Sequence, residues 1–420
     1  SQLRQYVPPQ SGLYQWTANS NNHILMSIAS IMSFFRRYES SFVIVIILVA
    51  ALLRFYDIGA EPFFDDQAKI SVQALTLARF GEWEFLGPEM STGGIRHSPI
   101  TNYLYAIPFR LTADPRIARL FTGMANLLAV PVVYLIGKRF FDHKAGFLAV
   151  LLYALYPAAV KGSRFIWNQN LAALFVMLFI LSALMGYYED RKYARIAHLP
   201  LLSIAGQCHP TLFLLFPVSL ACWIHAWRHH SESRRRLIKQ TIFSAVIALL
   251  LMLPWIIGIT QTFLAIGQID NITAGSNPGV IPMVEIIFRT LSGVFSVYGD
   301  LRPHSPNILH DTPNLTFLAI LTIASAIWLT VGASLRTHWF PGLVLVLAFF
   351  LVPTLVLVLD IGYWHHHIWP LLGSATLMQG VLLGGTAKHP LYDTKHSHIW
   401  NWSGLLNDRV LRWPSLVFFS

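Results

Sequence analysis

The sequence predicts an all-α polytopic membrane protein with a long, carboxylate-bearing loop directly after its first span. Three observations predict it. The 420 residues are 55% hydrophobic and only 12% charged, whereas soluble domains carry about 25% charged residues. Apolar runs of roughly twenty residues recur along the chain, the length a bilayer core demands. The basic residues gather between those runs, which is how membrane topology is encoded. Net charge is +10, which in a soluble chain would suggest nucleic acid. Here its placement excludes that partner and points to anionic lipid headgroups.

Residues 1–40 form an N-terminal cytoplasmic segment. Pro8 and Pro9 mark a flexible start, and an apolar stretch at 23–35 is suited to lying on the membrane surface. Arg36 and Arg37 place the start of the first span, 41–56, on the cytoplasmic side. The extracytoplasmic loop 54–117 follows. The second span, 118–137, ends at Lys138 and Arg139; the third covers 144–160 and the fourth 170–187. Residues 197–227 are apolar but flanked by basic clusters on both sides, Arg191 and Lys192 before, Arg234, Arg235 and Arg236 after. With both clusters cytoplasmic the stretch must enter and return, and Gln207-Cys208-His209-Pro210 becomes the apex of a hairpin. Later spans fall at 241–262, 316–334, 341–359 and 368–386, giving about ten passes in all. A second large extracytoplasmic loop, 263–313, is Gly-, Pro- and Asn-rich, with a short helix expected at 282–295. A C-terminal segment, 387–420, closes on WPSLVFFS, which has the makings of another span. Tyr187, Trp227, Trp339, Tyr363 and Trp364 near span ends form the interfacial aromatic belt. Cys208 and Cys222 lie in apolar stretches, so no disulfide framework is expected.

Few charges fall inside spans, which argues against an ion-coupled pump. The polar residues concentrate in the extracytoplasmic loops, where an enzyme acting at the membrane surface would put its site. In the first loop Asp65 and Asp66 precede a helical pattern over 66–80, with Val72, Leu75 and Ala78 or Arg79 as its stripe. Asp65 suits two roles. As an N-cap it would accept backbone N–H bonds. As a functional carboxylate it would be kept ionised by the helix dipole and take a proton from an alcohol. Gly93 and Gly94 precede Arg96-His97-Ser98-Pro99, too short a run for a phosphate-binding loop. His97 read alone is more often structural than functional.

These residues carry a resemblance. LLRFYDIGAEPFFDDQA at the first span end, GGIRHSPITNYLYAIPFRL, ARLFTGMANLLAVPVVYLIGKRFF and LLYALYPAAVKGSRFIWNQN occur in an order and spacing that resemble the GT-C superfamily of polyprenyl-phosphate-sugar glycosyltransferases. The similar branch is that of protein O-mannosyltransferases and lipid A aminoarabinose transferases, and YWHHHIWPLLGSATL is a weaker echo. The resemblance implies a GT-C-like helical bundle over 41–386 with amphipathic juxtamembrane helices in the first loop. It implies a glycosyltransferase of a bacterial plasma membrane, with polyprenyl-phosphate sugar as donor and an unnamed extracytoplasmic lipid, glycan or protein as acceptor. Asp65 falls on the family's catalytic aspartate, the general base of an inverting displacement. Asp66 stands where the family usually has Glu.

The departing phosphate needs positive charge and hydrogen-bond donors. Arg164, His209 and the triplet His365, His366 and His367 are the candidates, with Arg offering a bidentate fork. Trp167, Asn168 and Asn170 are placed to contact sugar hydroxyls, and His97 joins the substrate-binding set. Asp65, Asp66, His97 and the triplet form a divalent-metal alternative if their loops converge; the expected site has no metal. A lipid-linked-sugar flippase and a structural subunit of a membrane complex are the competing functions.

Overall fold

The computed structural model describes residues 37–90, 96–230, 234–266, 313–333, 339–359 and 368–384. The expected surface stretch at 23–35, the helix at 282–295, the His365–His367 turn and the segment 387–420 lie outside them.

Helix α1 spans Arg37–Phe55. Two helices of the first loop follow, α2 (Asp65–Phe80) and α3 (Ile100–Phe109), then α4 (Arg116–Phe140), α5 (His143–Leu155), α6 (Pro157–Gly162) and α7 (Asn168–Ala183), which runs on through a π turn at Leu184–Tyr188. The hairpin is α8 (Lys192–Cys208) and, after a 3-10 turn at Pro210–Leu215, α9 (Phe216–His229). Helix α10 (Arg234–Ile266), α11 (Pro313–Ala333), α12 (Trp339–Val358) and α13 (Leu372–Gly384) complete the described bundle. No strand occurs among the described residues, only an isolated bridge between Glu89 and Arg96. Five of the described helices are long and apolar enough to cross a membrane. The all-α membrane architecture expected from the apolar runs is therefore present.

The hairpin reverses as the charge pattern requires. His198 of α8 meets Ser219 on α9 through Nε2 at 2.9 Å, so residues at similar distances before and after the His209 apex lie side by side. Its Nδ1 meets Ser182 of α7 at 3.0 Å, and one imidazole thereby ties three helices. Gly206 permits the return: a Cβ there would lie 2.5 Å from the Phe213 ring. Helices α4 and α5 make a similar close approach, since a Cβ on Gly137 would fall 2.5 Å from the Gly146 Cα. Small residues at such crossings let backbones touch where burial of apolar surface supplies no drive.

The third span differs from expectation. It is not one helix over 144–160 but breaks between Leu155 and Pro157. Pro157 has no N–H to offer the Tyr153 carbonyl, and the helix end strands the next carbonyl as well. Arg54 at the end of α1 is fully buried and takes over. It donates to the Ala154 oxygen at 3.1 Å and the Tyr153 oxygen at 3.5 Å.

The bundle has two chemically distinct ends. One gathers Lys138, Arg139, Lys192, Arg228 and Arg234–Arg236, and is the basic end. The other carries the α1–α2 loop, the start of α4, the start of α7 and the hairpin apex, and is the loop end. Helix α10 connects them, with the Trp255 indole donating to the Arg96 carbonyl at 3.2 Å.

Candidate active site

The site is built around the acidic turn that opens α2. The helix starts one residue earlier than a capping aspartate requires. Phe64 is the N-cap, with extended backbone and no side-chain cap, and its carbonyl accepts from Ala68 at 3.0 Å. Asp65 is thus already helical. Its carboxylate reaches forward to Lys69 at 2.6 Å, with 78% of the side chain exposed. The capping reading of Asp65 is corrected on that ground. Asp65 and Asp66 both lie in the first turn, where the helix dipole favours negative charge. The hydrogen bond that Lys69 donates to Asp65 raises its ammonium above the ordinary range, and Asp66 and Glu89 add to the negative field around it. The buried stripe of α2 is Gln67, Ile70, Ser71, Ala74 and Leu77. Val72, expected in that stripe, is exposed. Gly81 ends the helix in the left-handed region at φ 70°, which glycine adopts at no steric cost.

Between α1 and α2 the chain has no regular structure, so its carbonyls need donors from elsewhere. Two arginines supply them. Arg164 donates to the carbonyls of Leu53 at 3.2 Å, Tyr56 at 2.8 Å and Asp57 at 3.1 Å, and through Nε to the Glu61 carboxylate at 2.7 Å. Arg119, in the first turn of α4, donates to Ile58 at 3.1 Å, Glu61 at 2.7 Å and Pro62 at 2.7 Å. Arg164, expected to fork onto a phosphate, has its donors turned onto this loop instead. Gln67 completes the arrangement. Its amide donates to the Pro62 carbonyl at 3.0 Å, and its oxygen accepts from the Ile166 N–H at 3.3 Å. The Phe64 and Phe165 rings stack at 6.3 Å. The acidic turn is therefore seated on the segment entering α7.

That entry segment carries the expected sugar contacts. The Trp167 carbonyl accepts from the buried Tyr105 hydroxyl at 3.3 Å, and its ring meets Trp369 edge-on at 6.2 Å. Asn168, Gln169 and Asn170 are all buried. The Asn170 carbonyl accepts from Asn126 at 2.8 Å. The Asn168 side-chain oxygen and the Gln169 side-chain nitrogen have no hydrogen-bond partner among the described residues.

The two described histidines of the set come together, with His97 and His209 ring centroids 6.3 Å apart. His209 Nδ1 meets the Thr211 hydroxyl at 2.7 Å. His97 is locked by its backbone, its carbonyl accepting from Gly87 at 2.7 Å and its N–H donating to Pro88 at 2.9 Å. Next to it Ser98 donates to Gln207 near the hairpin apex at 2.8 Å. Burial pushes the His97 imidazole down to about 4, so it is neutral near pH 7. His365, His366 and His367 lie outside the described residues. Among the described residues no three His, Cys, Asp or Glu side chains are arranged to hold a metal.

Arg119, Gln67, Glu61 and Tyr105 are the members that sequence reasoning missed. Only Arg119 left a signal there: it stands inside the second predicted apolar run, where a charge is costly without a purpose.

Comparison with known proteins agrees with this fold. Residues 96–257 match the family model described as dolichyl-phosphate-mannose-protein mannosyltransferase. No curated protein matches the chain in sequence. Among solved structures it is similar to ArnT from Cupriavidus metallidurans bound to undecaprenyl phosphate, with a TM-score of 0.54 and 14% identity over 83% of this chain and 60% of that one. It is also similar to the oligosaccharyltransferase AglB from Archaeoglobus fulgidus in complex with an inhibitory peptide and a dolichol-phosphate, with a TM-score of 0.53 and 15% identity over 83% of this chain and 50% of that one. An Archaeoglobus fulgidus oligosaccharyltransferase complexed with Zn and sulfate aligns at a TM-score of 0.52 and 14% identity, over 82% of this chain and 48% of that one. The chain thus spans about half to three-fifths of the length of these proteins. At such identities the likeness is one of fold. The GT-C resemblance read from the sequence motifs is borne out at that level.

Proposed function

We propose that this chain is an integral membrane glycosyltransferase of GT-C type. It moves a sugar from a polyprenyl-phosphate donor to an extracytoplasmic lipid, glycan or protein acceptor. The loop end of the bundle faces the extracytoplasmic side, in a bacterial plasma membrane. One observation carries the reading: an exposed acidic turn, Asp65–Asp66, sits at a helix start on a loop gripped by two arginines. That is an exposed carboxylate on a held backbone, paired with Lys69 on its helix face, in reach of an incoming hydroxyl as a base requires. The family-model match and the GT-C fold support the same chemistry.

In this mechanism the acceptor oxygen attacks the anomeric carbon while the bond from that carbon to the phosphate oxygen breaks. The hydroxyl proton passes to the Asp65 carboxylate, polyprenyl phosphate departs, and the anomeric centre inverts. Asp66 supports the charge of the same turn. Arg164 holds the loop. Trp167 and Asn168 are assigned to the sugar side, with Asn168 buried beneath it. His97 is neutral, so it acts as a wall and hydrogen-bonding group of the site and not as a cation. His209 stands beside it at the hairpin apex. The triplet His365–His367 is assigned to the phosphate or the acceptor. Polyprenyl phosphate is already a competent leaving group, so no strong general acid is required.

The test uses purified full-length protein in lipid nanodiscs with radiolabelled polyprenyl-phosphate mannose and polyprenyl-phosphate aminoarabinose, offered with envelope lipid, glycan and protein fractions. Wild type should transfer label to one fraction. Asp65→Asn should lose about 10²- to 10⁴-fold, the usual contribution of a general base. A wild type that transfers no sugar in nanodiscs but moves the donor across the bilayer of sealed proteoliposomes makes the chain a flippase. An Asp65→Asn variant with normal turnover removes the base assignment.

A further inference from the structure

We propose that Arg119 is a positioning residue: through Pro62 and Gln67 it sets the acidic turn in its working orientation. The proposal rests on the reading of Asp65 as the base. Arg119 is 3% exposed, and its guanidinium lies beneath the loop and not at the surface where substrates arrive.

The division of labour between the two arginines identifies it. Arg164 holds the near half of the loop, the carbonyls of Leu53, Tyr56 and Asp57. Arg119 holds the half adjoining α2. One of its terminal nitrogens donates to the Ile58 and Glu61 carbonyls. The other donates to the Pro62 carbonyl at 2.7 Å and reaches the Gln67 side-chain oxygen at 3.4 Å. Pro62 precedes the acidic turn and Gln67 follows it, so one guanidinium plane brackets Asp65 and Asp66. Gln67 closes the bracket by donating back to Pro62 at 3.0 Å. Its oxygen also takes the Ile166 N–H at 3.3 Å, which joins the turn to the segment leading into α7.

The geometry fixes rotation as well as place. Successive residues of an α-helix turn by about 100°, so Gln67 and Asp65 point to nearly opposite sides of α2. Locking Gln67 inward keeps Asp65 on the opposite, exposed side of α2. A lysine cannot do the same, because it has a single nitrogen where Arg119 uses two on a rigid plane. The Glu61 carboxylate is taken by Arg164, so Arg119 serves carbonyl and amide dipoles. A buried guanidinium in that setting is a costly way to fill space, and placement of the turn is the return on it.

The experiment uses the full chain in nanodiscs and two readouts. The first needs no substrate: amide hydrogen exchange over residues 58–68, in wild type, Arg119→Gln, Arg119→Lys and Gln67→Ala. Arg119→Gln should speed exchange there at least about tenfold while α5 and α8 keep wild-type protection. The second is turnover of the radiolabelled donor that wild type consumes. Arg119→Gln should lower kcat about 10- to 100-fold, the scale of a displacement of about 1 Å. The donor KM and the Kd for undecaprenyl phosphate should stay within about threefold. Arg119→Lys should recover part of the turnover, and the acid limb of the pH–rate profile should keep its midpoint. If Arg119→Gln fails to fold, Gln67→Ala decides, since it removes the link to α2 and leaves the buried charge in place. A KM or Kd that rises with kcat unchanged would make Arg119 a donor-binding residue and overturn the proposal. Unaltered exchange over 58–68, or Gln67→Ala turning over normally, would overturn it too. A wild type without transfer activity sinks the catalytic reading instead, and the exchange data report on the bracket separately.

Discussion

Two aspartates stand in the left-handed region of the backbone, Asp57 at φ 46° and Asp190 at φ 59°, one at each end of the bundle. Aspartate tolerates that region better than most residues. Each has an arginine beside it, and the arginines treat them differently. At the basic end Arg195 takes the Asp190 carboxylate, and Arg139 pairs with Glu189 through Nε at 2.8 Å. At the loop end Arg164 takes the Asp57 carbonyl at 3.1 Å, and Arg119 takes carbonyls as well. The difference separates a staple from a cradle. Arginine on carboxylate neutralises both partners and fastens helices together. Arginine on carbonyls fixes an irregular backbone: Arg164 also pairs with the Glu61 carboxylate, but the Asp65 and Asp66 side chains stay exposed for other work.

The contrast breaks most visibly at Arg195. It is buried, and it donates also to the Gly186 carbonyl at 2.8 Å and to Gln240 at 2.7 Å. Arg195→Ala leaves Asp190 with only the more distant Arg236 at 3.8 Å and should cost about 1.5–3 kcal/mol of stability, read as a lower thermal midpoint in detergent. Turnover per folded molecule should stay within about twofold of wild type. Turnover that falls as steeply as stability would erase the distinction between the two ends.

A smaller effect tests whether the loop end is held by backbone. His97 is lowered to about 4 by burial, against about 6.5 when the turn opens. The open form therefore binds the proton more readily. Stability is complete above pH 6.5, falls as acid is added, and falls no further below pH 4. Between pH 7 and pH 5 the turn should lose about 2 kcal/mol. Exchange of the Gly87 and His97 amides, corrected for intrinsic rates, should rise about twentyfold over that interval. His97→Gln should abolish the rise, and wild-type rates indifferent to pH would contradict the assignment.

The smallest effect concerns Lys69, which pairs with Asp65 on an exposed helix face. An exposed pair is worth little, but it occupies the carboxylate that the reaction needs. Lys69→Met should raise kcat/KM about two- to threefold at low salt. The gain should vanish near 1 M salt, where the pair is already screened. A variant slower than wild type would give Lys69 a role in substrate contact.

The membrane architecture was legible because bilayers impose length and charge rules that single residues report. The His209 hairpin followed from basic residues on both flanks of one apolar stretch. The acidic turn was legible as a helix start, although its cap fell one residue early, on Phe64. Its support was not legible. Backbone carbonyls are the acceptors for Arg119 and Arg164, and a carbonyl leaves no mark in a sequence. Arg164 therefore read as a phosphate ligand by residue type alone. Pro157 was visible inside the third span, yet the break it causes became plain only with Arg54 in place beside it.

Arg54 also bears on how the chain is made. Its acceptors on Tyr153 and Ala154 lie 99 and 100 residues downstream. At translation rates of about 5–20 residues per second, they emerge roughly 5–20 s after Arg54 does. During that interval the first span holds an arginine near its exit from the bilayer with its eventual acceptors not yet synthesised. Until then Arg54 has the Ala50 carbonyl of its own helix as acceptor, at 3.2 Å. Its contact with α5 is therefore a late one, formed only after the third span has been made.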